Sequence, residues 1–429
     1  MNEIARNIQP ADQADARAAA RAAPLDSRFT PASRDRFAGD TMWPWFERLR
    51  AEAPVHYSEL GEFEPHWSIT RYKDIVAVDT NHKQFSSAEG ITLMTPESIE
   101  YAARRRSNGA GFITMDPPEH DVQRKAVSPA VAPSNLAKLS PILRERAGRI
   151  LDSLPIGEEF DWVDLVSKEF TAMTLATLFD FPFEQRRRLT HWSDIITNTP
   201  GYGPVTSWDQ KYQETKECFD TFIELWNERV NAPPSFDLIS MLAHGAETRD
   251  MDEMTYHGNV VLLIVGGNDT TRNTLSGSVY ALNRFPAEYD KLRADPSLIP
   301  SMVSETIRWQ TPLAHMSRIA VEDVEMHGQT IRKGDKVVMW YVSGNRDDTQ
   351  IENPDAYVID RPRVRNHLSF GFGIHRCVGN RLAELQLTIL WEEILKRFPT
   401  IEVQREPTRT FSCFVKGYES LPVVIPSRL

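Results

Sequence analysis

The sequence predicts a mainly α protein with small β-sheets. Tyr256 to Phe285 reads as one long helix, apolar in its first half and ending before Pro286. Val378 to Phe398 places Leu382, Leu385, Ile389, Leu390 and Ile394 at close to helical spacing. Strand-like runs are short and few.

Taken in order, the first thirty residues are rich in Ala, Arg and Asp and lack an apolar core. They are therefore not a secretory signal, and residues 1–30 are expected to be disordered. No Gly/Ser-rich linker, charge block or repeat divides the remainder, so residues 31–429 are expected to form a single domain. His66 to Tyr72 alternates as a strand does. Pro117 and Pro118 set a helix start that puts His120 and Arg124, four apart, on one face. Gln213 to Val230 is helical and carries Cys218. Ile299 to Trp309 is a shorter helix stopped by Pro312. Val324 to Tyr341 holds two β-rich segments joined through Lys333-Gly334-Asp335, and Cys413 lies near a C-terminal strand-like stretch.

At 429 residues, 41% hydrophobic and 25% charged, the composition is that of a soluble globular protein. The longest strongly apolar run, Val260 to Val265, is far short of the ~20 residues of a membrane span. A net charge of −11 argues against nucleic acid as a general partner, although Arg376, Arg124 and Lys125 form a local basic group. Three cysteines make no disulfide framework, which fits a reducing cytoplasm, and Cys218 and Cys413 read as packing residues.

Cys377 differs. It closes the stretch Phe370-Gly371-Phe372-Gly373-Ile374-His375-Arg376-Cys377-Val378-Gly379, at the start of an amphipathic segment. Backbone N–H groups at a helix N-terminus favour thiolate over thiol. Gly371 and Gly373 permit close backbone approach to a ligand, and Phe370 is placed to cover one side of a planar group. A lone cysteine is most often a small buried hydrophobe. Structural zinc wants four Cys or His ligands, and no Cys-x-x-Cys pair is present. One anionic sulfur facing a large flat partner suits a haem iron.

A second constellation, Gly266-Gly267-Asn268-Asp269-Thr270-Thr271, lies inside the long helix. Each interior glycine costs about 1 kcal/mol relative to Ala. Gly266 and Thr270 share a face, so the missing side chain leaves room there, and the Thr270 hydroxyl is placed to bond the carbonyl four residues earlier. The plainer reading is close helix packing with a solvated Asp269. In Glu305-Thr306-Ile307-Arg308 the acid and base are three apart and share a face, a weak signal alone.

The Phe-x-x-Gly-x-x-x-Cys-x-Gly pattern resembles the haem-binding loop of the cytochrome P450 family, the haem-thiolate monooxygenases. That resemblance implies a helical domain with small sheets, and haem b held between the long helix and the helix after the cysteine. Cys377 would be the axial ligand, with Phe370, Gly371 and His375 around the haem. His120, Arg124 and Arg318 would join His375 at the propionates, a task suited to the guanidinium fork. Thr270 would stabilise bound dioxygen and Asp269 would relay protons. Gly266 departs from the Ala more usual in the family. Glu305, Arg308 and Arg361 would form a buried scaffold that fixes the cysteine loop.

Met115 to Pro133, Leu262 to Asn273, Ile307 to Ala320 and Val337 to Asp347 are similar to a bacterial branch that hydroxylates the ends of alkanes and fatty acids. The branch implies a cytoplasmic monomer that takes electrons from NAD(P)H through an iron–sulfur ferredoxin and its flavin reductase, with O2 as co-substrate. It also implies a narrow apolar channel lined by Leu262, Val265, Gly266, Leu313, Ala314 and Met316, from which His315 points away. Oxidation of terpenoids, steroids or aromatics is the alternative within the fold. A haem carrier or sensor is the alternative outside catalysis, and it needs no acid–alcohol pair.

Overall fold

The computed structural model describes residues 13–105 and 111–429. Its centre is the helix Glu253–Arg284, which begins three residues before the expected Tyr256 because the Asp252 side chain accepts from the Thr255 N–H at 3.0 Å and caps it. This helix is buried on most sides along its second half, and the largest apolar cluster surrounds it. The cysteine-loop helix, Asn380–Leu395, crosses it. The Trp391 indole donates to Ser278 Oγ at 2.8 Å, so a buried polar edge is satisfied where the two helices meet. Helix Ile299–Gln310 ends at Thr311, which has a left-handed φ of 42°, one residue before Pro312.

The main sheet comprises β1 (Val55–Ser58), β2 (His66–Ile69), β3 (Phe85–Ser86), β4 (Met316–Ala320) and β5 (Lys336–Met339), in the order β1-β2-β5-β4-β3. The β2–β5 pair is parallel, with Ser68 opposite Val338. The expected strand from His66 stops at Ile69, and Tyr72–Thr80 is helical instead. Asp347 Oδ2 accepts from the Tyr72 N–H at 2.8 Å, a cap supplied from far along the chain. Val324 to Tyr341 holds three strands rather than two: the hairpin Val324–Met326 with Gln329–Ile331, then β5.

Disorder through residue 30 does not hold for the described part of the N-terminal segment. Gln13–Ala22 is a helix with Ala20 buried, and Arg48 donates to the Ala23 carbonyl at 2.6 Å. Tertiary contact stabilises a segment whose composition alone would fray. Among the described residues no helix is long and apolar enough to cross a membrane.

Candidate active site

The long helix, the cysteine-loop helix and the segment after Pro312 enclose a cavity whose walls include Leu262, Gly266, Thr270, Leu313, Met316 and Cys377. A larger polar cleft elsewhere, bordered by Trp43, Arg346 and Lys416, contains none of the expected site residues. Two expected lining residues lie outside the walls. Ala314 is fully buried in a separate cluster with Trp340 and Val342. Val265 is four residues from Asp269 and shares that side of the helix, about 100° round from Gly266 and Thr270. His315 does point away: its Nδ1 lies 3.0 Å from the Cys413 carbonyl, and its Nε2 accepts from the Leu93 N–H.

The Cys377 N–H donates to the Phe370 carbonyl at 2.8 Å and closes the loop. Phe370 and Gly371 line the cavity with it. Gly371 and Gly373 both have φ of 65°, the region that favours glycine. The missing side chain of Gly373 also serves a second approach. A Cβ on Gly373 would come within 2.5 Å of the Asp79 carbonyl oxygen, so the loop is pressed against the end of helix Tyr72–Thr80. The Cys377 side chain is accessible from the cavity yet set deep in the protein. Burial raises its thiol pKa, outweighing the Gly379 and Asn380 amides and the guanidinium groups of Arg124 and Arg376. The helix start alone therefore does not deliver the thiolate. A metal bound at this sulfur would, because a coordinating thiol loses its proton outright.

On the opposite wall the Thr270 hydroxyl donates to the Gly266 carbonyl at 2.8 Å, the back-bond that the spacing predicts. A Cβ on Gly266 would meet nothing within 4 Å, so this glycine leaves open space. Gly267 serves packing: its Cβ would lie 2.7 Å from Leu175 Cδ2. Asp269 faces inward. It is fully buried, accepts from Asn268 at 3.0 Å and pairs with Arg272 at 3.0 Å. Burial raises its carboxyl pKa against the pull of Arg272. Asp269 and Thr270 thus sit back to back, and only Thr270 reaches the cavity.

Four basic side chains gather at one edge. Arg124, Arg318 and His375 line the cavity, and His120 lies with its ring centroid 4.5 Å from that of His375. His120 Nδ1 pairs with Asp121 at 2.7 Å, while its Nε2 and both ring nitrogens of His375 are buried with no hydrogen-bond partner in the protein. Burial and the neighbouring cations push the His375 pKa down to about 2. Arg124 donates to the Arg376 carbonyl. Arg318 donates to Asp79 and to the Ser317 carbonyl, each at 2.8 Å.

Below the loop, Glu305 accepts two bonds from Arg308, at 2.8 and 2.9 Å, and two from Arg361, at 3.2 and 3.1 Å. Arg308 passes the connection to the Asn345 carbonyl at 2.9 Å. Asn345 in turn binds the Leu368 N–H at 2.7 Å and Ser369 Oγ at 2.9 Å, just before the cysteine loop. Sequence reasoning missed Asn345 and Asp79. The one signal for Asp79 is an acid in helical register with the buried Ile75 and Val78.

These residues fit a haem. Orphaned imidazole nitrogens and two guanidinium groups at one edge match its propionates, and a Cβ at Gly266 or Gly379 would meet open space on either wall. Cys377 and Thr270 would flank its two faces.

A family model for cytochrome P450 matches residues 48–417. The solved structure of CYP153D17 from Sphingomonas sp. PAMC 26605 is 46% identical, superposes with a TM-score of 0.86, and the match covers 93% of this chain and 99% of that one. A linalool 8-monooxygenase from Pseudomonas putida is 34% identical over 385 residues, 89% of this chain and 94% of the relative. A methyl-branched lipid omega-hydroxylase from Mycobacterium bovis is 32% identical over 394 residues, 88% of this chain and 90% of the relative.

Proposed function

Because this chain belongs to the cytochrome P450 family and is a monooxygenase of that family, we propose that it hydroxylates the terminal carbon of an alkane or fatty acid. We further propose that a ferredoxin and its flavin reductase deliver the electrons from NAD(P)H. Haem, when bound, supplies the oxygen-activating chemistry. The observation that carries the substrate reading is the apolar wall opposite Cys377: Leu262, Leu263, Leu313 and Met316 beside Gly266, with the Thr270 hydroxyl among them. Aliphatic side chains exclude water and orient a chain by shape. The open space at Gly266 supports approach of a slim methyl end along the long helix. Thr270, with its hydrogen spent on the Gly266 carbonyl, keeps oxygen lone pairs free to accept a bond and positions a water or a proton at that wall. Likeness to a lipid omega-hydroxylase supports the same reading.

Likeness to a linalool 8-monooxygenase supports terpenoid oxidation as the second reading. Titrating the holoenzyme with alkanes, fatty acids and linear terpenes, while following the haem spin-state band and then identifying products, separates the two. Saturable shifts with linear chains and terminally hydroxylated products are expected. Shifts with terpenes alone would replace the first reading by the second.

A further inference from the structure

We infer that Asp79 is a positioning residue of the haem edge, a buried carboxylate that shares Arg318 with a propionate and ties that clamp to the cysteine loop. The inference rests on the haem reading of the cavity. Asp79 sits at the end of helix Tyr72–Thr80 and is 3% exposed. Its Oδ1 accepts from Arg318 Nη2 at 2.8 Å. Its Oδ2 accepts from the Tyr341 hydroxyl at 2.9 Å and from the Phe372 N–H at 2.8 Å. Three donors and no acceptor surround it, which is what an ionised carboxylate needs and a protonated one does not. Burial raises its pKa, and the Arg318 guanidinium, the Phe372 N–H and the Tyr341 hydroxyl oppose the rise.

Arg318, Tyr341 and Gly371 all line the cavity, and Asp79 stands one layer behind them. Of the guanidinium's donors, one terminal nitrogen is engaged by Asp79 and the other by the Ser317 carbonyl. Arg318 therefore arrives at the haem edge already oriented, with its charge partly balanced. The Phe372 bond and the close seat of Gly373 on the Asp79 carbonyl connect the same carboxylate to the loop that carries Cys377. Two consequences follow for the bound haem. A fixed negative charge in a low-dielectric surround favours the oxidised iron, so Asp79 lowers the reduction potential. A pre-set Arg318 also slows haem loss.

The test compares wild type with Asp79→Asn and Asp79→Glu as holoenzymes. It reads the reduction potential by dye-coupled titration and haem release by transfer to apomyoglobin. For Asp79→Asn the potential is expected to move positive, and release to quicken by ~10-fold or more as charge-assisted bonds are lost. Asp79→Glu keeps the charge and misplaces it, so release quickens while the potential stays near the wild-type value. A purely structural Asp79 would lower the melting temperature of Asp79→Asn without moving its potential, and that result overturns the proposal. A potential that moves equally in Asp79→Glu also overturns it, because charge would then not be the cause. Should Asp79→Asn not accumulate as holoenzyme, Tyr341→Phe removes one bond and keeps the carboxylate: faster release at unchanged potential supports the proposal, and wild-type release overturns it. A wild-type protein that takes up no haem would instead overturn the underlying reading, and this proposal with it.

Discussion

Arg272 holds the Asp269 carboxylate at 3.0 Å and is itself held by Asp194 at 2.5 Å, so the acid beside Thr270 is locked into a buried ion cluster turned away from the cavity. Proton supply from Asp269 therefore requires its side chain to leave Arg272, or a relay around the helix. Asp269→Asn leaves Arg272 paired with Asp194, and the protein is expected to stay folded while turnover falls by ~100-fold, the usual worth of a proton-transfer group. Turnover measured with solvent isotope effects checks this. An unchanged rate would make Asp269 a structural member of the cluster.

Thr270→Ala removes the only cavity-facing hydroxyl of the Asp269-Thr270 pair together with its 2.8 Å bond to Gly266. Haem binding is expected to survive, with product formed per NAD(P)H consumed falling by roughly 10-fold as electrons are lost to peroxide. Measuring product, peroxide and NAD(P)H in one assay decides it, and unchanged coupling would remove Thr270 from the chemistry.

Gly266→Ala adds a methyl group into space where nothing lies within 4 Å. Helix propensity favours the change by up to about 1 kcal/mol, so melting temperature is expected to rise. The same methyl narrows the slot, and the spin-state response to bulky ligands is expected to weaken more than that to slim chains. Equal responses from both would place the substrate path elsewhere.

Glu305→Gln strips the charge from a carboxylate that serves two buried guanidinium groups. Leaving buried charge unpaired costs about 3–5 kcal/mol. The cost should appear as poor haem incorporation as well as lower stability, because Arg308 is connected through Asn345 to the start of the cysteine loop. The ratio of haem to protein after purification measures it.

Acid stability carries a signature of His315. Burial pushes its pKa from 6.5 down to about 3, and its ring is satisfied as the neutral form between Cys413 and Leu93. Below pH 6.5 the unfolded chain takes up a proton that the folded chain refuses. This contribution to stability is thus complete above that pH and is lost as pH falls toward about 3, at up to about 1.4 kcal/mol per pH unit. His66, lowered to about 4 by burial, adds in the same direction. Urea unfolding between pH 7 and 4 should show a shallower slope in His315→Gln than in wild type.

Much of this site is legible in the sequence because its parts are local. The Thr270 back-bond needs only residues four apart, and the Glu305–Arg308 pair only residues three apart. Phase errors arose where one residue step redirects a side chain, by about 100° in the helix at Val265 and to the opposite face in the extended segment at Ala314, so each neighbours true lining residues but points elsewhere. Asp79 stayed hidden because its partners come from residues 318, 341 and 372, which only the sheet and the glycine loop bring to it. The close seat of Gly373 on the Asp79 carbonyl is hidden for the same reason, since it joins the loop to another helix.

The parallel pairing of His66–Ile69 with Lys336–Met339 also has a bearing on biosynthesis. During translation β2 emerges long before β5, and the cavity has its distal wall before it has Cys377. The cavity walls stay incomplete until the segment from Ser369 to Leu387 has been made. Holoenzyme assembly has to wait for the ribosome to pass the cysteine loop, and recombinant yield should depend on haem supplied late in expression more than on haem supplied early.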